Sequence, residues 1–166
     1  DFPGAANLGD FSCSVDDYRD FLVNDAPKFS ELNLTRVKLL LDRETGNIIA
    51  YMALLCDAIQ LDNEEVQQMG WDIPFRTIPA LIIGKLAVNQ AYERQHYGSF
   101  ILWLALGFAE NLLHEGIACR FLSVDADVLS SSDTPAIYQK NDFIENQRYR
   151  SRTNSVSIRY DILSSE

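Results

Sequence analysis

The chain has 166 residues, 47% of them hydrophobic, which by length is one domain with ample apolar material for one core. Its 14 basic and 24 acidic residues give a formal charge of −10, opposite in sign to most nucleic-acid binders and suited to attracting cationic amines. No apolar run is long enough for a membrane span, and the first residues, Asp1-Phe2-Pro3-Gly4, are no basic, apolar signal segment, so a cytoplasmic protein without a membrane partner is expected.

Taken in chain order, residues 1–10 read as an edge segment. Ser14-Val15-Asp16-Asp17 then opens a helix, with acidic side chains in the first turn to complement its dipole. Tyr18, Phe21, Leu22 and Ala26 form the apolar face, and Pro27 marks the expected end, with Phe29 and Leu32 open to continue as a second short turn. Val37, Leu39 and Leu41 have strand periodicity, Glu44-Thr45-Gly46-Asn47 is a turn, and residues 48–59 return as a long apolar strand. Residues 61–77, with Gly70, Trp71 and Pro74, suit a rim over a pocket.

Residues 80–88 make a buried strand. After Gly98 comes a helix with Ile101, Leu104, Ala105, Phe108, Leu112 and Leu113 on one face, stopped by Gly116. Residues 117–124 are the next strand, and Thr134-Pro135 opens a short helix through Lys140. A last hairpin is expected from residues 143–149 and 156–162. The whole is a mixed α/β domain around one sheet. Cys13, Cys56 and Cys119 have neither disulfide nor zinc spacing; the two in apolar runs read as buried thiols, which suits a reducing compartment. His96 and His114 lack metal spacing, and no metal is expected.

The chemistry concentrates at Leu86-Ala87-Val88 followed by Glu93-Arg94-Gln95-His96-Tyr97-Gly98-Ser99. A strand feeding a polar turn and then a helix aims backbone N–H groups and the positive helix end at one spot, a place for a phosphate. No Gly-x-x-x-x-Gly-Lys-Ser/Thr or Gly-x-Gly-x-x-Gly motif is present. The segment resembles the acetyl-CoA motif of the GNAT superfamily of N-acetyltransferases, in which Leu-Ala-Val leads into Gln/Arg-x-x-Gly-x-Gly/Ala. Glu93 and His96 depart from it, His96 standing at the first glycine.

Ala136-Ile137-Tyr138-Gln139-Lys140-Asn141-Asp142-Phe143 is similar to the same superfamily's Ala-x-Phe-Tyr-x-x-x-Gly-Phe, with Asp142 at the glycine. Residues 11–22, Phe-Ser-Cys-Ser-Val-Asp-Asp-Tyr-Arg-Asp-Phe-Leu, resemble the Phe-x-Cys-Gly-x-x-x-Leu-Asp-x-Phe-Leu opening of one GNAT branch, although Ser14 replaces the glycine and Tyr18 departs from the Leu-Asp step. That branch includes toxins that acetylate aminoacyl-tRNA.

The resemblance implies one GNAT domain over residues 1–166, with a mostly antiparallel central sheet flanked by helices and splayed at the acetyl-CoA strand. It implies acetyl-CoA as cosubstrate, held by Leu86, Ala87 and Val88 along its pantetheine and by Arg94, Gln95, His96, Tyr97, Gly98 and Ser99 at its pyrophosphate. Tyr138 would be general acid or hydrogen-bond donor to the departing sulfur; as residues alone it is equally a tyrosine capping the core. Asp125 is the first choice of base and Asp57 the second, though either is equally a solvated strand-end carboxylate. Lys85 reads as a strand lysine facing solvent.

Direct attack by an amine needs no enzyme nucleophile, and neither a Gly-x-Ser-x-Gly elbow nor a Cys/His pair is apparent. The expected acceptor is a small or peptidic primary amine. Acidic residues 16, 17, 20 and 25 of the first helix and 62, 64, 65 and 72 of the rim would guide it, with nucleic acid disfavoured outside Arg148-Tyr149-Arg150-Ser151-Arg152. Two alternatives stand beside it: a toxin acetylating charged tRNA, and a non-catalytic domain binding CoA or a protein. A homodimer is left open.

Overall fold

A computed structural model describes residues 8–127, 134–147 and 155–164. Among the described residues six strands form one sheet in the order β1-β2-β3-β4-β6-β5: Arg36–Leu41 (β1), Ile48–Gln60 (β2), Thr77–Val88 (β3), Phe121–Asp127 (β4), Ile144–Glu145 (β5) and Ser155–Asp161 (β6). The pairs β1–β2, β4–β6 and β5–β6 are antiparallel. The chain packs as two compact units, one of residues up to Leu55 with Ile83–Leu104, the other of Cys56–Ile82 with residues from Ala105 on.

In the first unit the opening helix does not stop at Pro27. Asp16–Asp20 (α1) continues through one π turn, Phe21–Asp25, into Ala26–Glu31 (α2). Proline has no N–H to donate and its ring crowds the carbonyl four residues back, which breaks a regular helix. The widened turn, in which Ala26 N–H donates to the Phe21 carbonyl, absorbs that misfit and lets the chain go on. Leu22 and Ala26 thereby reach a core with Phe11, Ile48, Tyr51 and Ala87. The Phe11 and Tyr51 rings meet edge to face at 5.4 Å, and the Tyr51 hydroxyl donates to the Tyr18 carbonyl at 2.7 Å. Burial pushes that hydroxyl's pKa upward. A core leucine such as Leu22 is worth about 2–5 kcal/mol against alanine.

The β1–β2 hairpin pairs Arg36 with Leu54 through to Leu41 with Ile48, with a register shift at Leu40/Leu41. Its turn is closed by Asp42, whose carboxylate accepts from the N–H groups of Thr45 at 2.9 Å and Glu44 at 2.8 Å. Those bonds hold Asp42 below the usual carboxylate range.

In the second unit, the expected rim contains a helix, Asn63–Gln68 (α3), started by a capping box in which Asp62 accepts from Glu65 N–H and Glu65 accepts from Asp62 N–H. Glu65 is buried and also accepts from Arg159 at 2.6 Å. It is therefore no rim carboxylate for an approaching amine. Ile59, Leu61, Ile78, Ala80 and Phe121 form the core beneath, with Trp71 and Ile73 packed on it.

Tyr97–His114 (α4) ends as expected at Gly116. Gly116 N–H donates to the Leu113 carbonyl and Ile117 N–H to Leu112, with Gly116 left-handed at φ 74°. The cap takes up Ile117, and β4 begins at Phe121 and not at 117 and runs past Val124 to Asp127. Strand β3 starts earlier than expected, at Thr77, and β5 is shorter, only two residues. Cys119 is buried as expected of a thiol in an apolar run, while Cys56 is exposed on β2. The Arg148–Arg152 cluster lies outside the described residues. Among those residues no helix is long and apolar enough to cross a membrane.

Candidate active site

Strand β3 ends at Val88, and Asn89 anchors the turn after it. Asn89 N–H donates to the Ile49 carbonyl at 2.8 Å, its side-chain amide donates to Ile48 at 3.0 Å, and its side-chain oxygen accepts from Ala91 N–H at 3.2 Å. A buried amide with partners on both its nitrogen and its oxygen pins the strand end to β2 and starts the 3-10 turn Gln90–Tyr92. Gln90 N–H reaches the Ser12 carbonyl at 2.9 Å, and the Tyr92 hydroxyl lies 3.4 Å from Asp42. Asn89 is absent from the residues that the sequence marks as functional; an asparagine directly after an apolar strand is the signal that points to it.

The loop then turns through two left-handed residues, Arg94 at φ 61° and His96 at φ 64°. Left-handed residues within a turn are one way in which successive backbone N–H groups converge into an anion-binding concavity. The His96 carbonyl accepts from Phe100 N–H at 3.1 Å, so α4 winds directly out of the loop. The N–H groups of its first turn, those of Tyr97 and Gly98 among them, have no carbonyl one turn back in the helix. A Cβ at Gly98 would meet nothing within 4 Å. The first unit thus brings Leu86, Ala87, Val88, Arg94, Gln95, His96, Tyr97, Gly98 and Ser99 into one strand-turn-helix junction. Arg94, Gln95 and His96 are exposed, Leu86 and Val88 are half-buried, and Ala87 belongs to the core.

His96 occupies the position where the resembling motif has its first glycine, and the backbone there is the left-handed one that glycine favours. Histidine is among the residues that tolerate it.

Lys85 does not face solvent freely. It is half-buried, its Nζ 4.6 Å above the Tyr18 ring of α1.

Asp125 and Tyr138 both belong to the second unit. Asp125 is exposed on β4 opposite Ser157, and Asp57 of β2 is exposed as well. Tyr138 lies on Thr134–Gln139 (α5), buried, with its ring edge-on to Phe143 at 5.6 Å. Asn141 and Phe143 N–H groups both donate to the Tyr138 carbonyl, and Asp142 at φ 63° caps the helix left-handed, as a glycine would. Both residues at motif-glycine positions thus adopt the left-handed backbone that glycine favours.

No family model and no curated protein matches this sequence. Solved structures do match it. A tyrosine-to-phenylalanine mutant of KacT superposes with a TM-score of 0.78 at 18% identity, over 94% of this chain and 88% of that one. AtaT complexed with acetyl-methionyl-tRNAfMet gives 0.78 at 19%, over 97% and 91%. AtaTR bound with AcCoA gives 0.76 at 17%, over 97% and 90%. The fold is that of the GNAT acetyltransferases. At these identities the shared property is the GNAT fold, and within it the β3–loop–α4 junction is the segment that the resemblance assigns to the acyl donor. Among the described residues no group of His, Cys, Asp and Glu is arranged to hold a metal ion.

Proposed function

We propose that this protein is an acetyl-CoA-dependent N-acetyltransferase whose acceptor is the amino group of an aminoacyl-tRNA. The observation that carries the donor half is the left-handed pair Arg94 and His96 opening onto the α4 N-terminus, a cradle for a pyrophosphate. The left-handed backbone of His96 and Asp142, which a glycine would also favour, supports this reading over that of a degenerate, non-catalytic domain. The backbone of β3 at Leu86, Ala87 and Val88 would pair with the pantetheine amides as a strand pairs with its neighbour.

The acceptor half rests on three supports. A structural neighbour, AtaT, is seen with acetyl-methionyl-tRNA. Residues 11–22 resemble the opening of the branch that holds such toxins. The third support is chemical. An α-amino group has a pKa of about 7.7–8.0, so roughly a tenth is neutral at pH 7, against about one part in a thousand or less for a lysine-type amine near 10.4. Asp125 and Asp57 are exposed carboxylates, and an acceptor already partly neutral asks little of them.

The amine nitrogen attacks the thioester carbonyl carbon, its proton leaves to Asp125 or to water, and the C–S bond breaks. Tyr138 donates to the departing sulfur; a phenol is ordinarily a weaker acid than a thiol, so such a donor stabilises the thiolate as much as it protonates it.

A free cationic amine or basic peptide is the second reading, favoured by the −10 charge and by exposed Asp16, Asp17, Asp20 and Asp25. Thiol release from acetyl-CoA, measured with charged tRNA and with a panel of amines and peptides at matched low salt, separates the two. Transfer to charged tRNA is the expected result; activity confined to free amines would replace it with the second reading.

A further inference from the structure

Lys85 is a half-buried cation in an acidic chain, yet among the described residues its ammonium contacts an aromatic ring and no carboxylate. The described ion pairs belong to Arg19, Arg120 and Arg159. An anion is the natural partner of such a cation. The exposed carboxylates of the neighbouring helix, Asp16, Asp17 and Asp20, were available to this role and do not fill it.

The placement of the ammonium is also defined. Side chains alternate across a strand, so Lys85 shares its face with Ile83 and Ala87, and the Ala87 side of β3 is the one packed on Phe11, Leu22 and Tyr51 of the first unit's core. Tyr18 is the ring beneath it, and the Tyr18 carbonyl is held by the buried Tyr51 hydroxyl at 2.7 Å. The Tyr18 side chain packs against that core, and the ammonium sits over its ring face. This cation lies one residue before the Leu86–Val88 stretch, in the same unit.

We infer that Lys85, seated on Tyr18, is a specificity residue that binds a phosphodiester of the acceptor next to the amine being acetylated. The inference rests on the acetyltransferase reading above and deepens it. The acceptor is an amine carried on a nucleotide chain, and Lys85 would disfavour free cationic amines by like-charge repulsion.

The test compares Lys85→Gln and Lys85→Arg with the parent on two acceptors bearing the same aminoacyl group. One is the aminoacyl-tRNA, and the other is the aminoacyl ester of adenosine, which has no phosphate. For Lys85→Gln the ratio of kcat/KM on tRNA to kcat/KM on the adenosine ester is expected to fall about tenfold, through KM and not kcat. The slope of log(kcat/KM) against log salt above about 0.1 M should shrink by about one, as for one lost phosphate contact. Lys85→Arg should retain most of the ratio. A ratio and slope at the parent's values, or an equal loss on both acceptors, overturns the role of Lys85 while leaving the acetyltransferase reading intact. A parent that acetylates neither acceptor, with acetyl-CoA bound in calorimetry, overturns the reading itself.

Discussion

Left-handed backbone at a residue with a Cβ costs about 1–2 kcal/mol, less for the few side chains that tolerate it, and His96 and Asp142 both stand there. Two pairs of substitutions measure this directly. At each position the glycine variant should be more stable than the alanine variant by about 1 kcal/mol in urea unfolding, the reverse of the order expected in ordinary helical backbone. An alanine variant more stable than the glycine one would show that the loop is not built as described. Tyr138 raises a different question, because burial against Phe143 is equally what a packing tyrosine would show. Tyr138→Phe keeps the ring and removes only the hydroxyl. We expect kcat to fall at least tenfold while KM for acetyl-CoA changes little, since a donor to the departing sulfur matters as charge develops. Equal turnover at saturating substrates would make Tyr138 a core residue only.

The elements were legible where their signals are local. Alternation gave β1, a long apolar run after a turn gave β2, the glycine past the periodic stripe gave the end of α4, and Thr134-Pro135 gave the start of α5. The Asp62-x-x-Glu65 spacing is likewise a local helix signal and points to α3. The features that sequence did not yield are made by distant partners. Glu65 becomes a buried acceptor for Arg159, 94 residues away, and so leaves the acidic rim; Lys85 acquires Tyr18 from a different element. At Pro27 the continuation through Phe29 is the outcome, carried by a π turn, which has no composition of its own.

Of the candidate site, the strand-turn-helix junction was visible and Asn89, which holds it, was not. At this junction Gly98 gives the clean test, because it has ordinary backbone and open space where a Cβ would stand. Gly98→Ala should stabilise the helix by up to about 1 kcal/mol. Gly98→Val should leave the fold intact and weaken CoA at least tenfold in calorimetry. Undiminished CoA affinity in a folded Val variant would move the phosphates elsewhere.

At the scale of the whole molecule, the −10 charge and a polyanionic acceptor oppose each other. The conflict has a definite signature because the two electrostatic effects have different ranges. Repulsion between an acidic body and a tRNA acts over the screening length, about 30 Å at 0.01 M salt and about 10 Å at 0.1 M. Direct cation–phosphate contacts act at hydrogen-bond range and weaken with salt through counterion release, without a comparable threshold. Adding salt from a very low level should therefore first raise kcat/KM on charged tRNA, as long-range repulsion is screened. Beyond about 0.1 M it should fall, as contacts such as that of Lys85 are lost. A cationic amine is drawn in by the same acidic surface, so its kcat/KM should fall from the start. A rise then fall for tRNA beside a monotonic fall for the amine is the expected pair of curves, read from initial rates of thiol release. A monotonic fall on tRNA from the lowest salt would mean that the acceptor meets a local basic surface strong enough to override the net charge, and one that continues to rise would mean that no phosphate contact contributes to binding.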